Sequence, residues 1–279
     1  MDEDAGSMTR IFKSGAGAIV TKSIGLKPRE GYPNPSAVEL ECGLLNAMGL
    51  PNPGIEEFKS EVIKLKKSKV TVIGSIFGSN SKEFTLLGTK MQDAGVNALE
   101  LNMSCPHAKG YGLEIGSNQK IVEKITANVK SSVSIPVFVK ISPNLTDVPK
   151  IAQSAEKGGA DAIVAINTVK AMKINIETQR PILSNKIGGY SGKAIKPIGI
   201  RCVYEIYKKV NIPIIGVGGI NTGEDAIEYM MAGASAVQIG SAIYSRDINV
   251  FEKICKEIKN WMKTNNYKKI DELIGVANL

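Results

Sequence analysis

The stretch ELNMSCPHAKGYG, residues 100–112, joins the end of a strand to a loop rich in reactive side chains. Residues 98–101 are apolar around Glu100, which predicts a buried strand. Pro106 and the glycines at 110 and 112 cannot continue a strand ladder. The chain therefore passes from strand to loop within this stretch, and polar groups collect where the strand ends.

That polar cluster contains Asn102, Ser104, Cys105 and His107, the last being the only histidine of the protein. Together they offer an amide, a hydroxyl, an ionisable thiol and an imidazole, a composition typical of a reactive site. A purely structural interpretation makes Cys105 a small buried hydrophobe and His107 a turn residue, which is the commoner role of a single cysteine. The position of the whole cluster at a strand end favours the functional interpretation.

The apolar run before this cluster is one of a series of short apolar runs separated by amphipathic stretches. Such an alternation is typical of parallel strands joined by crossover helices. Strands are predicted within AIVTK (18–22), TVIGSIF (71–77), ALELNMS (98–104), PVFVKIS (136–142), AIVAINT (162–168), PIIGVGG (213–219) and AVQIGSA (236–242). Helices are predicted near residues 55–68, 119–133, 146–158, 197–209 and 222–232.

Polar residues fall at the carboxyl ends of these strands, among them Lys22, Asn102, Lys140 and Asn167. This asymmetry predicts an α/β fold of the (β/α)₈ TIM-barrel type, in which catalytic groups collect on one face. A doubly wound open sheet is the alternative, but it normally places GxGxxG after its first strand, and the sequence has none there. Because we find only seven such strands, we expect the first barrel strand to be missing from this chain.

Residues 25–54 contain five prolines, which preclude a continuous helix. A structureless connection of this length in a compact domain is usually a functional loop. We therefore predict an inserted loop segment that lies over the barrel mouth and covers the substrate.

Composition narrows the class of protein. With 279 residues, 43% hydrophobic and 22% charged, the chain can bury a large core and is neither disordered nor fibrous. An acidic N-terminus and the lack of a membrane-length apolar run predict a cytoplasmic protein with no membrane partner.

The four cysteines have no metal-ligand spacing, which indicates reduced thiols and no metal. A net charge of +8 favours an anionic ligand, whereas dispersed lysines and 5% aromatic residues argue against nucleic acid.

Lys22 and Lys140 would place two ammonium groups at strand ends in the barrel mouth, where an anionic ligand is their natural partner. The alternative for either residue is an ordinary solvated lysine. Barrels of this type also build phosphate sites from backbone N–H groups in glycine-rich loops after late strands. The residues concerned are Gly192, Gly218, Gly219, Gly240 and Ser241.

Nine motifs together give the chain a family resemblance. They are TKS (21–23), PREG (28–31), NAMGLPNPG (46–54), ELNMSCP (100–106), VKIS (139–142), INT (166–168), GGYSGKAIKP (188–197), GVGGI (216–220) and QIGSA (238–242). In this order and spacing they resemble the FMN-dependent dihydroorotate dehydrogenases of class 1, nearest to the class 1B catalytic subunit. The resemblance implies one FMN-binding TIM-barrel domain over residues 1–279 that converts dihydroorotate to orotate in de novo pyrimidine (UMP) biosynthesis.

The resemblance also implies residue roles. FMN-contacting positions are matched by Lys22, Ser23, Ser75, Asn102, Lys140, Ile166, Gly192, Gly218, Gly219, Gly240 and Ser241. Substrate positions are matched by Lys22, Asn46, Ala47, Met48, Gly49, Leu50, Asn102, His107, Asn167 and Thr168. Cys105 matches the catalytic base, and a thiol suits this role because its reference pKa of about 8.5 lies nearer neutrality than that of a hydroxyl.

The chain departs from the family pattern in three places. The first strand, with an Ala-Ser-Gly contact to FMN, has no counterpart before Met1. Ser75 stands where class 1B enzymes often have an asparagine. His107 stands where many members have a substrate-binding asparagine, so it either binds orotate through a ring nitrogen or tunes Cys105.

Partners and alternatives follow from the same resemblance. Class 1B enzymes pass electrons to a separate subunit with FAD and an iron–sulfur cluster, so the resemblance implies such a partner and a homodimeric core. One alternative is the related flavin domain of dihydropyrimidine dehydrogenases, which acts on uracil or thymine. Lys22 and the loop around Asn46 favour a carboxylated substrate over that alternative. Another alternative is an inactive, truncated barrel that binds an anionic metabolite.

Overall fold

The structure is a computed structural model that describes residues 3–104 and 113–278. Within these residues the strands are β1 (Ile19–Val20), β2 (Ala37–Leu40), β3 (Gly43–Asn46), β4 (Val72–Ile76), β5 (Ala98–Asn102), β6 (Val137–Ile141), β7 (Ala162–Ala165), β8 (Val169–Ala171), β9 (Ile174–Asn175), β10 (Arg180–Pro181), β11 (Gly188–Ser191), β12 (Ile214–Val217) and β13 (Ala236–Gln238). Each of the seven strands predicted from apolar runs is confirmed, because β1, β4, β5, β6, β7, β12 and β13 lie inside those runs.

The α-helices of the described residues are α1 (Ala5–Lys13), α2 (Ile55–Lys67), α3 (Ser81–Ala94), α4 (Leu113–Gly116), α5 (Gln119–Ser132), α6 (Val148–Lys157), α7 (Lys196–Tyr207), α8 (Gly223–Ala232), α9 (Ala242–Arg246) and α10 (Val250–Thr264). Short 3₁₀ helices span Lys193–Ile195, Ile270–Leu273 and Val276–Asn278. Side-chain caps define several starts: the Asn80 side chain accepts from the Glu83 N–H, and Thr222 and Asp225 form a capping box. Helix α3 ends at Gly95, whose left-handed conformation suits glycine.

The seven predicted strands form one parallel sheet in the order β1-β4-β5-β6-β7-β12-β13. Each strand lies beside the one that follows it among these seven in the chain, so the order never reverses. A doubly wound sheet requires such a reversal, and that alternative is therefore wrong. A continuous order with crossover helices is the arrangement of a (β/α) barrel.

The sheet curves into a half-barrel and does not close. Within the described residues, β1 pairs only with β4 and β13 pairs only with β12, so both strands keep a free edge. The predicted closed barrel of eight strands is thus found only in part, as seven strands in barrel order. The shortfall of one strand counted in the sequence is present in the structure as well.

The segment 25–54 is not the irregular loop predicted from its prolines. It contains the hairpin β2–β3, and this hairpin joins β11 and β8 in a four-stranded antiparallel sheet of order β2-β3-β11-β8. The prediction was wrong on this point because proline excludes a helix but permits extended backbone beside it. Leu45, Ala47 and Leu183 form a small apolar cluster under this second sheet.

The main core lies between the parallel sheet and its helices. All five residues of β5 are buried, as expected for a strand covered on both faces. Helices α2, α3, α5 and α6 present apolar faces to this sheet through residues such as Phe58, Phe84 and Val129. None of the helices in residues 3–104 and 113–278 is long and apolar enough to cross a membrane.

Candidate active site

A cavity of about 800 Å³ lies between β1 and β13 and reaches the carboxyl ends of the central strands. Its wall combines apolar side chains such as Ile73 and Val217 with polar groups from the strand ends. Twelve residues predicted for cofactor or substrate line it, namely Lys22, Ser23, Asn46, Met48, Gly49, Leu50, Ser75, Asn102, Lys140, Asn167, Thr168 and Gly240. The parallel sheet explains this convergence, because the carboxyl ends of its strands meet at one edge.

Serine and asparagine side chains from neighbouring strands are linked by hydrogen bonds at this edge. The hydroxyls of Ser23 and Ser75 lie 2.8 Å apart, and the amide of Asn102 donates to Ser23 Oγ over 2.9 Å. Ser75 and Asn102 are both buried. Because three neighbouring segments supply these groups, folding of the sheet itself orients the Asn102 amide.

Ser104 extends this chain of hydrogen bonds from Asn102 to Asn167. Its hydroxyl donates to Asn102 Oδ1 over 3.2 Å and accepts from Asn167 Nδ2 over 2.8 Å. Asn167 Oδ1 in turn accepts the backbone N–H of Thr168 over 2.7 Å. Ser104 is fully buried, so water does not compete for these bonds. We call Ser23, Ser75, Asn102, Ser104 and Asn167 the serine–asparagine network.

The charged side chains that line the cavity, among the described residues, are Lys22, Lys140 and Glu100. Lys22 forms an ion pair of 2.9 Å with Glu3, whose side chain is half exposed. Lys140 lies 3.2 Å from Glu100, a buried carboxylate. Two ammonium groups against one carboxylate leave the lining with a net positive charge, which favours an anionic ligand.

Of the predicted site residues that the structure describes, six do not line this cavity: Ala47, Ile166, Gly192, Gly218, Gly219 and Ser241. Ala47 is buried in the apolar cluster under the second sheet, so its side chain packs there and is not offered to a ligand. Ile166 is buried in the main core, and its backbone N–H bonds the Val217 carbonyl. Ser241 immediately precedes α9.

Some of the glycines predicted to bind phosphate lie close together. A Cβ added to Gly219 would lie 2.8 Å from the Gly192 carbonyl oxygen, so these two loops are in close contact. Gly218 and Gly219 both have positive φ, which suits glycine. We call residues 218–222, between β12 and α8, the glycine loop. Gly240 faces open space, because an added Cβ there would meet no atom within 4 Å.

Ion pairs brace the glycine loop from outside the cavity. Asp225 accepts the backbone N–H groups of Asn221 and Thr222 and the ammonium of Lys196, the last over 2.8 Å. Glu257 accepts the Gly223 N–H and the guanidinium of Arg246, both over 2.6 Å. Protein carboxylates thus accept the N–H groups of three successive residues, 221–223, at the start of α8.

These contacts shift the pKa values of the groups involved. Burial opposes the charged form of Lys196, but hydrogen bonds from its ammonium to Asp225 and Glu228 outweigh burial and raise its pKa. Burial likewise opposes ionisation of Asp225, yet the Lys196 ammonium and two backbone N–H groups lower its pKa. The Arg246 guanidinium lowers the pKa of Glu257. Lys196, Asp225 and Glu257 are therefore charged near neutral pH.

Cys105 and His107, predicted as the base and as a substrate residue, lie outside the described residues. The three cysteines that the structure does describe, Cys42, Cys202 and Cys255, do not line the cavity. Cys42 and Cys255 are exposed, and burial raises the pKa of Cys202 to about 11.

Three residues with contacts at the site had no individual role in the sequence prediction: Glu100, Ser104 and Gln238. Gln238 lines the cavity and donates to Glu100 Oε2 over 2.9 Å. A signal for Glu100 was available, because a carboxylate inside an apolar strand is almost never buried without a partner. Ser104 stood in the polar cluster, but its link to Asn167 joins residues 63 positions apart and follows only from the fold.

A parallel α/β half-barrel with a polar, positively charged cavity at its strand ends is the architecture of a barrel enzyme that binds an anionic ligand. The chain matches the family model described as Dihydroorotate dehydrogenase over residues 1–262. It is 51% identical to the catalytic subunit of dihydroorotate dehydrogenase B (NAD(+)) from Methanocaldococcus jannaschii, covering 100% of this chain and 92% of that protein. The proteins of the same name from Thermoplasma volcanium and Pyrococcus furiosus are 52% and 51% identical, covering 99% and 97% of this chain and 91% and 89% of theirs.

A solved structure supports the fold. A crystal structure of DHODH from Eimeria tenella in complex with ferulenol superposes with a TM-score of 0.86, at 23% identity, covering 99% of this chain and 83% of that one. The chain belongs to the dihydroorotate dehydrogenase family, as its motifs predicted, and its nearest class is 1B. Membership of this family implies a flavin cofactor.

Proposed function

We propose that this protein oxidises dihydroorotate to orotate in pyrimidine biosynthesis, with FMN as its flavin and Cys105 as the base. The family and the names of the relatives support the reaction. The structural observation that carries the proposal is the serine–asparagine network beside two lysines in one cavity. This arrangement offers amides for a pyrimidine ring and positive charge for a carboxylate and a phosphate.

The residues present fit FMN. The cavity has the size of a cofactor site, apolar walls suited to a flat ring, and a net positive lining suited to a phosphate ester. Gly240 leaves open space where backbone could approach a phosphate closely. When bound, FMN would supply the acceptor for the hydride from carbon 6 of dihydroorotate. Lys140 would stabilise negative charge that develops on the flavin ring, because an ammonium in a partly buried site acts strongly on nearby charge.

The substrate would be bound by the asparagines and by Lys22. Asn46, Asn102 and Asn167 line one cavity and carry both donors and acceptors, which matches the carbonyl and N–H groups of a pyrimidine. Lys22 would pair with the substrate carboxylate, replacing its contact with Glu3. The segment from Met48 to Leu50 would cover the ring from the side of the second sheet.

The remaining step is removal of a proton from carbon 5, which we assign to Cys105. Cys105 follows Ser104 directly in the chain, and Ser104 is hydrogen-bonded to two asparagines of the cavity. None of the described cysteines lines the cavity, so none of them is placed to take this proton. We propose His107 as the substrate or tuning residue beside it.

We also propose that electrons leave through a second subunit with FAD and an iron–sulfur cluster, around a homodimeric core. The relatives are named as catalytic subunits, which implies a partner. The cytoplasmic location stays a prediction of the sequence.

The test is Cys105→Ala in the full chain. We expect it to retain FMN and orotate binding while flavin reduction by dihydroorotate slows about 10²-fold or more, the usual scale for a positioned base. Cys255→Ala is the matched control, because this exposed thiol of α10 does not line the cavity. Normal reduction kinetics in Cys105→Ala at neutral pH would refute the assignment.

Two further measurements separate the alternatives. A substrate panel should show flavin reduction by dihydroorotate and not by dihydrouracil or dihydrothymine; the reverse would favour the dihydropyrimidine dehydrogenase type. A purified protein without a flavin absorbance band, even after incubation with FMN, would favour an inactive barrel.

A further inference from the structure

Glu100 is a buried acidic residue to which the proposed chemistry gives no role. It lies in β5 with 1% of its surface exposed, in the middle of the parallel sheet. An isolated carboxylate in such a place would be strongly disfavoured, so its partners determine its effect.

Both carboxylate oxygens of Glu100 have partners from different strands. Oε1 lies 3.2 Å from the Lys140 ammonium of β6, and Oε2 accepts the side-chain amide of Gln238, in β13, over 2.9 Å. Gln238 Oε1 lies 3.5 Å from the same ammonium, so it is a weaker second acceptor. The three side chains form a triangle that connects the middle of the sheet to its edge strand.

The triangle leaves Lys140 in a defined position. Its side chain is 17% exposed, so the ammonium has little room to seek water. An ammonium has three N–H donors, and Glu100 and Gln238 face one side of it. The remaining donor capacity is free to face the cavity that Lys140 lines.

We propose that Glu100, held by Gln238, is a positioning residue that fixes the Lys140 ammonium toward the flavin and supplies its counter-charge. The inference rests on the proposed function, since it concerns the same flavin site. Glu100 supplies the counter-charge that makes a partly buried ammonium tolerable before any ligand arrives, and Gln238 prevents the carboxylate from turning away.

The charged groups that face Lys140 determine how well its charge is compensated. Among the described residues that line the cavity, the only charged groups besides Lys140 are Glu100 and Lys22, and Lys22 is paired with Glu3. Glu100 is therefore the one carboxylate of that lining that can compensate the charge of Lys140. Its loss should make binding of an anionic cofactor more sensitive to pH, because burial then opposes the ammonium charge without compensation.

The first test measures FMN affinity of the apoprotein as a function of pH in Glu100→Gln, which keeps the shape of the side chain and removes its charge. The wild type should bind FMN with nearly constant affinity from about pH 7 to about pH 9.5, because Glu100 supplies the counter-charge of the Lys140 ammonium. In Glu100→Gln the affinity for FMN should fall several-fold as pH rises over this range, because the buried ammonium has lost its counter-charge. Gln238→Met should show a smaller fall in the same direction.

Glu56→Gln is the matched control. Glu56 is likewise a glutamate paired with lysine, in its case with both Lys59 and Lys90, but it lies on the exposed surface of α2. Its removal should leave the pH profile of FMN affinity unchanged. An FMN affinity that stays constant with pH in Glu100→Gln, as in the wild type, would overturn the inference. A carboxylate with only a structural role would leave this pH dependence unchanged.

A second test needs no flavin and remains informative if Glu100→Gln folds poorly. Lys140→Met leaves the Glu100 carboxylate buried without its counter-charge, so it should unfold at lower denaturant concentration than the double variant Lys140→Met with Glu100→Gln. A single variant as stable as the double one would overturn the inference. A wild type that binds no FMN would instead refute the proposed function, so the two failures are distinguishable.

Discussion

The serine–asparagine network and the glycine loop are two regions at the same end of the sheet, built by opposite means. The network consists of neutral, buried or partly buried side chains whose hydrogen bonds run from strand to strand. The glycine loop presents backbone and is held from outside by partly exposed ion pairs, of which Lys196 with Asp225 is an example.

The difference shows how each region keeps its shape. Buried neutral hydrogen bonds are strong because water is excluded, and they specify which amide atom of each asparagine faces the cavity. The two glycines of the glycine loop have no side chains that could fix its shape, and the Asp225 carboxylate binds the N–H groups of Asn221 and Thr222 from behind. We therefore expect changes in the network to affect substrate chemistry and changes around the glycine loop to affect stability and cofactor retention.

The largest effect should come from Asn102→Leu. This change removes the amide that joins Ser23 to Ser104 and that faces the cavity. We expect kcat/KM for dihydroorotate to fall about 10²-fold, the scale of losing one well-placed hydrogen-bonding group in a site. Steady-state kinetics at measured flavin content checks this. Asn128→Ala, at an exposed position on α5, should behave as wild type, and an unimpaired Asn102→Leu would contradict the role of the network.

Gly219→Ala should have the next largest effect, and on the other region. The residue has φ of +71°, and a Cβ would lie 2.8 Å from the Gly192 carbonyl oxygen. We expect a loss of about 2 kcal/mol in the free energy of unfolding, together with weaker FMN binding. Denaturant unfolding and FMN titration measure both. Gly17→Ala serves as the stability control, because its Cβ would meet no atom within 4 Å. Equal stability of the two variants would show that the close contact between Gly219 and Gly192 does not limit stability.

Ser104→Ala should change turnover more than stability. The alanine cannot orient Asn102 and Asn167, whose amides then turn more freely, and we expect kcat/KM to fall about tenfold with FMN content unchanged. Ser154→Ala is the comparison variant: Ser154 is also buried and hydrogen-bonded, but to the Lys150 carbonyl within α6. A loss of FMN in Ser104→Ala without a change in turnover would contradict the expectation that the network serves substrate chemistry and the glycine loop serves cofactor retention.

The smallest effect concerns pH and the Lys196–Asp225 pair. The pKa of Asp225 is lowered from 3.8, so its contribution to stability is present above that value and is lost as pH falls below it. The pKa of Lys196 is raised from 10.5, so its contribution is lost only as pH rises above that value. We expect Asp225→Asn to cost about 1 kcal/mol of stability between about pH 5 and about pH 9 and less at lower pH. A difference that stays constant down to about pH 2 would show that this ionisation does not matter.

Much of the candidate site could be predicted because catalytic groups in parallel α/β folds follow apolar runs. Lys22, Asn102, Lys140 and Asn167 each follow or end such a run, and all four line the cavity. The hairpin of segment 25–54 was missed, since its partner strands β11 and β8 lie more than a hundred residues away. A local pattern of prolines contains no information about such a partner.

The residue pattern alone sufficed for the order of strands and for the edge at which polar groups gather. Burial on both faces makes each parallel strand an apolar run, and the carboxyl ends of parallel strands always meet. The pairing of polar groups across that edge required the tertiary structure. Glu100 contacts Gln238 across 138 positions and Ser104 contacts Asn167 across 63, because side-chain hydrogen bonds depend on distances that only the curved sheet sets.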